Sequence, residues 1–277
     1  MALAPANPAR FATLAIAWLA YLVMLAPIAA IVWLSLFNSD IIAIPPPGYS
    51  LRSYHSMFVS GDFIASFRLS LVVAVGATVI SVVLGTLASI GIVRGRFPGS
   101  GVLASIFLAP LAVPAVVLGL AIYIFFFKAG AAIGIRIAGT IGSLLVAHVV
   151  LTLPWTIRFT SAGLATVDKN LEDAAMTLGA PPVRTFWHVT LPLMRASLVA
   201  AAIFAFLTSY NALEMSLFLV GPGMTTVPIV LLQRVSWNFD PPVAAMATVQ
   251  VAISAVALIL LVRLVGAERI FGVQRHD

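Results

Sequence analysis

Six long apolar runs, separated by shorter polar stretches, set the rhythm of this chain. Phe11–Phe37, Leu69–Val93 and Gly101–Phe127 contain no charged residue, and Ile137–Ile157 carries none when His148 is neutral. Ala196–Leu213 runs uncharged to Glu214 and continues apolar to Val220, and Pro241–Val262 is the sixth run. A helix needs about 20 mostly apolar residues to cross ~30 Å of hydrocarbon, so each run predicts a membrane-spanning helix. A seventh apolar piece, Met215–Leu232, is interrupted by Gly221-Pro222-Gly223 and Pro228. It predicts the end of the fifth span followed by a short re-entrant or surface segment. The first run is about twice as long as a signal-peptide core of about 7–15 residues. Bulky Trp33, Leu34 and Phe37 fill its end, where a cleavage site needs small residues. It reads as a retained span.

Composition narrows the class. Of 277 residues, 62% are hydrophobic and 9% charged, with no cysteine and a mean hydropathy of +1.12. Soluble globular chains are about a quarter charged, so a soluble enzyme, a disordered regulator and a disulfide-stapled domain are all excluded. A pI near 10.3 could point to nucleic acid, but the basic residues stand singly at the ends of apolar runs and form no patch or stripe. That is the distribution of membrane-protein loops, and no nucleic-acid partner is expected. The expected fold class is an all-α membrane protein with six transmembrane helices in one domain, residues 1–277.

Lys and Arg bias gives the orientation. With the N-terminus in the cytoplasm, the inner segments hold ten bases: Arg10, Arg94, Arg96, Arg158, Lys169, Arg184, Arg195, Arg263, Arg269 and Arg275. The outer segments hold five, Arg52, Arg68, Lys128, Arg136 and Arg234. The protein is therefore expected in the inner (plasma) membrane with both termini cytoplasmic. Arg94-Gly95-Arg96 reads as a tight inner turn, and Pro45-Pro46-Pro47-Gly48 as a rigid turn in the longer outer loop.

One connection is too long and too patterned to be a plain turn. About forty residues separate spans four and five, and residues 166–193 read as a cytoplasmic helix–Gly–helix. Asn170 suits a helix N-cap, with Asp173 three residues on as a capping-box-like partner. Glu172 and Asp173 fall in the first turn, where the helix dipole favours acids. Ala174, Ala175, Met176 and Leu178 continue the helix, and Gly179 ends it. Pro182 suits the start of a second short helix over Pro182–Val189, and Leu191-Pro192 leads into span five. Small Ala174 and Ala175 leave room for another surface to approach. A solvated amphipathic hairpin would show the same pattern, and a DNA-binding helix–turn–helix is a poor fit because both ends are tied to the membrane.

The run Asp173-Ala174-Ala175-x3-Gly179-x9-Val189-x-Leu191-Pro192 resembles the EAA loop of binding-protein-dependent ABC importer permeases, Glu-Ala-Ala-x3-Gly-x9-Ile-x-Leu-Pro. Asp replaces Glu and Val replaces Ile, both conservatively, and the spacing matches throughout. Leu69-Ser70-Leu71, Gly85-Thr86-Leu87-Ala88 with Arg94, the Pro110–Pro114 region, His148 in Ala-His-Val-Val, and Gly221-Pro222-Gly223-Met-Thr-Thr-Val-Pro228 resemble the spermidine/putrescine-type subfamily. The resemblance implies a type I ABC importer (MetI-like) fold whose loop docks on a cytoplasmic ATP-binding subunit. The coupling residues would be Glu172, Asp173, Ala174, Ala175, Gly179, Leu191 and Pro192. It also implies a second permease subunit, as a heterodimer, and a soluble substrate-binding protein. The chain itself has no G-x-x-x-x-G-K-[S/T], and its only lysines, Lys128 and Lys169, lie outside any Gly-rich turn. It must therefore borrow its ATPase.

Ionisable groups within spans default to functional candidates. A carboxylate at Glu214 would cost roughly 2.5–3.5 kcal/mol at the bilayer centre unless it faces a cavity or pairs. Asn211, three residues earlier, shares its helix face. Glu214 could line a translocation path, snorkel to the outer interface or form a structural ion pair. Polyamine-type members tend to carry acids at the positions of Asn211 and Ala212, which this chain lacks. His148 is a further path candidate, against the alternative of a hydrogen-bonded interior histidine. No H-E-x-x-H or cysteine cluster is present, so neither a metal nor another cofactor is expected on this chain, and it is not expected to be an enzyme.

The expected function is the permease subunit of an ATP-driven importer for a small polar or cationic solute, of polyamine type. A permease of the same fold for iron, thiamine, phosphonate or another small ion stands as the alternative. A secondary transporter is disfavoured because no inverted repeat or charged relay is visible.

Overall fold

The computed structural model describes residues 8–39, 41–95, 97–237 and 240–265. Arg96, Arg269 and Arg275, used above for orientation, lie outside the described residues. All described regular structure is helical: α1 (Pro8–Leu34), α2 (Arg52–Val59), α3 (Gly61–Arg94), α4 (Ser100–Leu108), α5 (Ala115–Ile133), α6 (Ile141–Thr166) and α7 (Lys169–Thr177) come first. They are followed by α8 (Pro182–Thr185), α9 (Leu191–Leu193), α10 (Arg195–Tyr210), α11 (Leu213–Leu219), α12 (Val227–Trp237) and α13 (Pro241–Val265). Five helices, α1, α3, α5, α6 and α13, are long and apolar enough to span a bilayer. α10 reaches the length of a sixth only when counted with the stretch Pro182–Leu193, from which it is bent by 74°.

Two expected spans are broken, and the sequence explains both. The run Gly101–Phe127 predicts one helix. Instead α4 stops at Leu108, a 3₁₀ turn covers Ala109–Ala112, and Val113 is extended before α5 begins behind Pro114. Pro110 has no N–H to continue the ladder, and Pro114 pushes its predecessor out of the helical region. The spanning part is thus Ala115–Ile133, ending at Gly134 with φ +73°. The fifth run is also divided. α10 ends at Asn211, whose side-chain amide donates to Leu207 O at 2.9 Å. Ala212 is extended (φ −74°, ψ 96°) and α11 restarts at Leu213. A side chain that competes for a helix carbonyl makes such a break cheap. By contrast α3 begins at Gly61, well before the Leu69 expected, and Pro27 and Pro154 sit inside continuous helices.

The chain forms two compact units, one of α1, α2 and the N-terminal half of α13, the other of most of α3 through α11 with the end of α13. In the first, the loop after α1 is pinned by an antiparallel bridge between Phe37 and Tyr49, with Asn38 N–H donating to Gly48 O at 3.0 Å. Pro45–Gly48 lies within that loop.

The second unit shows why α3 and α6 pair. Lipid offers apolar surfaces no reason to associate, so membrane helices rely on small residues and interhelical hydrogen bonds. Ser81, Gly85 and Ser89 lie at i, i+4 and i+8 on one face of α3; Thr152, Thr156 and Thr160 lie likewise on α6. Ser81 bonds Thr152 at 2.7 Å and Ser89 bonds Thr160 at 2.6 Å. Thr156 donates to Ser81 O at 2.9 Å. Gly85 sits directly against the Thr156 side chain, with no room for a Cβ. An apolar cluster of Val73, Leu144, Ala147, Ala212, Met215 and Leu219 continues the packing onto α11.

Candidate functional site

The hairpin between α6 and α10 begins with α7. Its N-cap is Asp168, whose carboxylate accepts from Asn170 N–H at 2.9 Å. The expected cap, Asn170, is instead the second residue of the helix. Both side chains can cap, but Asp168 is the residue that keeps extended backbone (φ −63°, ψ 121°) while α6 ends just before it. Glu172 and Asp173 fall early in the helix, as the dipole favours. At its end Gly179 N–H donates to Met176 O at 2.9 Å and Ala180 N–H to Ala175 O at 3.1 Å. These are the paired bonds of a Schellman motif, and Gly179 supplies the left-handed φ of +93° that the motif needs.

After Pro181 the second arm does not form the single short helix expected over Pro182–Val189. α8 covers only Pro182–Thr185, a π-turn covers Phe186–Thr190, and α9 follows before a kink at Met194. Pro192 withholds an N–H, and the wider turn before it absorbs the mismatch. Leu191 is partly buried and Pro192 exposed.

The hairpin turns Glu172 inward and shows its apolar side chains. Glu172 is 13% exposed and lies 3.1 Å from Arg94 Nε at the end of α3. Thr190 donates to Glu172 Oε1 at 2.7 Å. Leu178 is 89% exposed, and Leu171, Met176, Val183 and Trp187 are exposed with it. Asp173, Ala174 and Gly179 are exposed, while Ala175 is partly covered. Between α3 and the hairpin runs a groove of about 500 Å³ whose lining includes Leu87, Ile90, Met176, Val183, Phe186 and Trp187. Sequence reasoning missed Arg94 and Thr190 as partners of Glu172. No spacing rule joins residues so far apart; the only signal was that the charge bias put Arg94 and the loop on one membrane face.

The intramembrane candidates divide. His148 on α6 is 2% exposed. Its Nδ1 lies 2.7 Å from Ser209 Oγ and its Nε2 lies 3.1 Å from Ser216 Oγ. Ser216 already donates to Ala212 O at 2.8 Å, so its oxygen accepts from Nε2–H. Nδ1 then accepts from the Ser209 hydroxyl. The ring thus braces α10 and α11 across their break, with no nitrogen left for a solute. Asn211 and Glu214 lie at that break and are both exposed. Asn211 Nδ2 also reaches Ser254 Oγ at 3.3 Å, and among the described residues no cation pairs with Glu214. α11 packs so tightly on α5 that a Cβ on Gly119 would meet Glu214 O at 3.1 Å. The backbone carrying the carboxylate is thereby fixed.

Comparison with known proteins accounts for this arrangement. Residues 81–268 match the model of the binding-protein-dependent transport system inner membrane component family. The putrescine transport system permease protein PotI of Escherichia coli K12 is 32% identical over 213 residues, 76% of each chain. The spermidine/putrescine transport system permease protein PotC of Haemophilus influenzae is 26% identical over 229 residues, 83% of this chain and 86% of its own. Among solved structures, a chain of a bacterial ABC transporter involved in the import of the acidic polysaccharide alginate superposes with a TM-score of 0.68. It is 16% identical and covers 95% of this chain and 98% of its own, a likeness of fold. The chain belongs to the binding-protein-dependent transport system inner membrane component family, as a multi-pass inner-membrane permease of the type I ABC importer fold and not an enzyme.

Proposed function

We propose that the chain is the permease subunit of an ATP-driven importer for a polyamine-class cation, delivered by a soluble binding protein and moved with a second permease subunit. The observation that carries this reading is the 32% identity, over 76% of each chain, to a putrescine permease. The hairpin supports the energetic half of it. Its exposed Leu171, Met176, Leu178 and Val183 form an apolar surface outside the spans, suited to a groove on a cytoplasmic ATP-binding subunit. Ala174 and Gly179 let that partner come close, and Leu191 and Pro192 lead the motion into α10. In this orientation the hairpin and both termini are cytoplasmic, in keeping with the ten-to-five distribution of bases.

Glu214 and Asn211 are the path residues of this reading. An exposed carboxylate on a fixed backbone offsets the desolvation of a passing ammonium group, and the neighbouring amide supplies a neutral acceptor. His148 contributes by holding the break that presents them. The test is uptake of labelled putrescine into proteoliposomes holding the full transporter, with wild-type chain and with Glu214→Gln. Coulomb attraction at an effective dielectric of about 20 is roughly 4 kcal/mol at 4 Å before desolvation is subtracted, so a loss of tenfold or more is expected. Binding-protein-dependent putrescine uptake that is absent from wild type would overturn the substrate assignment. Unchanged uptake by Glu214→Gln would remove Glu214 from the path.

A further inference from the structure

Four separate pieces of backbone converge on one ion pair at the hairpin end of the membrane helices. Arg94 is the last residue of α3, and one guanidinium nitrogen donates to Val167 O at 2.9 Å and Leu164 O at 3.3 Å. Those carbonyls are at the C-terminal end of α6, at the negative end of the dipole; Leu164 O also accepts from Val167 N–H at 3.2 Å. Arg94 Nε faces Glu172 Oε2 at 3.1 Å. It has no aligned hydrogen bond, so this contact is one of charge. Glu172 Oε1 accepts from Thr190 at 2.7 Å, at the end of the π-turn that leads into α9. Arg94 and Glu172 are 23% and 13% exposed, so water screens the pair only in part. Beneath it Leu164, Val167 and Met194 form a buried cluster flanked by Ile90 and Val93.

We propose that Arg94, with Thr190, is a positioning residue for coupling: the Arg94–Glu172–Thr190 clamp makes the hairpin move as one body with the ends of α3 and α6. The inference rests on the importer reading above and assigns Glu172 inward, to the clamp, leaving Leu171, Met176 and Leu178 as the docking side. Without the clamp, α7 would stay attached to its ATPase yet pivot on its two connections, at Val167 and at Pro181. The clamp turns that pivot into a displacement of α3 and α6. Arginine suits the task because its planar fork reaches a carboxylate and two carbonyls together, which a lysine ammonium on a flexible stem does not.

The test uses the complete transporter in proteoliposomes and reads two quantities, solute moved per ATP hydrolysed and ATPase retained on purification. Arg94→Gln and Glu172→Gln should each lower the transport-to-hydrolysis ratio about tenfold, within the span of coupling between sites, with the ATPase still bound. The double variant should be no worse than either single one, since both remove the same contact. Thr190→Val should lower the ratio by a smaller factor. Arg94→Lys serves if Arg94→Gln does not insert, and it too should uncouple. Losses that multiply in the double variant, or an unchanged ratio, overturn the clamp. ATPase lost by Glu172→Gln but kept by Arg94→Gln overturns it as well, because Glu172 then belongs to the docking face. Wild type without binding-protein-dependent uptake would instead refute the importer reading.

Discussion

The α3–α6 seam and the α7–α9 hairpin solve opposite solvent problems with the same residue types. Along the seam, serine and threonine hydroxyls turn inward to each other, and the valines of α3 at positions 72, 75 and 79 turn outward. Lipid makes that exposure harmless. The hairpin also turns its hydroxyl and acid inward, at Thr190 and Glu172, and leaves Leu178 and Val183 outside. There the flanking Asp168, Lys169, Asp173 and Arg184 mark an aqueous surface, where a cluster of large apolar groups has a cost that only a partner removes. On the proposed reading, the same outward apolar side chain means lipid in one region and a protein partner in the other. Charge differs accordingly. The seam and the His148 brace use neutral groups alone, while the hairpin uses an ion pair.

The seam is most sensitive to size. Gly85→Leu would drive a branched side chain into Thr156 and separate the hydroxyl pairs on both sides. Overpacking costs about 1–3 kcal/mol even where neighbours can yield. Here backbone is nearby, with Ile157 N only 3.2 Å from where a Cβ would sit. Thermal unfolding in detergent should show a loss at or above that range, and an unchanged midpoint would contradict the packing described. Gly179→Val probes the hairpin in the opposite way. Nothing lies within 4 Å of a Cβ there, so the penalty is the left-handed backbone alone, ~1–2 kcal/mol. Transport and ATPase retention should fall while the unfolding midpoint of the membrane helices stays, and normal retention would weaken the docking role of α7.

His148→Ala removes both bridging bonds, leaving Ser209 without its acceptor while Ser216 keeps its bond to Ala212 O. Hydrogen bonds between membrane helices average about 0.6 kcal/mol, so losing two should cost ~1 kcal/mol. Uptake should fall through misplacement of Asn211 and Glu214, and His148→Asn should recover part of it. Full activity of His148→Ala would leave the brace without a role. Smallest is Asp168→Ala, which removes the N-cap of α7. About 0.5–1 kcal/mol of local helix stability should be lost, seen as faster amide exchange over Lys169–Leu171 with the seam unaffected.

The sequence exposed each region to a different degree. Apolar runs one, two, four and six coincide with the long helices α1, α3, α6 and α13, because hydrocarbon thickness sets a countable length, whereas runs three and five are broken. Pro110 and Pro114 stand inside a run that reads as one span, and whether a proline bends a helix or ends it is set by the packing around it, not by the run. Pro154 stays within a continuous α6, whereas α5 starts anew behind Pro114. The hairpin's turn at Gly179 was legible because a Schellman motif is local. Its cap was misplaced by two residues because Asp168 and Asn170 are both good caps, and the choice depends on where α6 stops. Arg94–Glu172 and His148–Ser209–Ser216 were not legible, since partners brought together by tertiary packing leave no periodicity in either segment.

The docking surface has a direct measurement, because the chain contains no cysteine. Leu178→Cys would be its single thiol, placed at the most exposed apolar position of the hairpin. A thiol-anchored photo-cross-linker at that position, in the assembled transporter, should join this chain to the ATP-binding subunit and do so differently with and without ATP. The same probe at Val75, on the lipid-facing side of α3, should give no such product. Cross-linking of Leu178→Cys only to lipid or to the soluble binding protein would contradict both the docking role of the hairpin and its orientation.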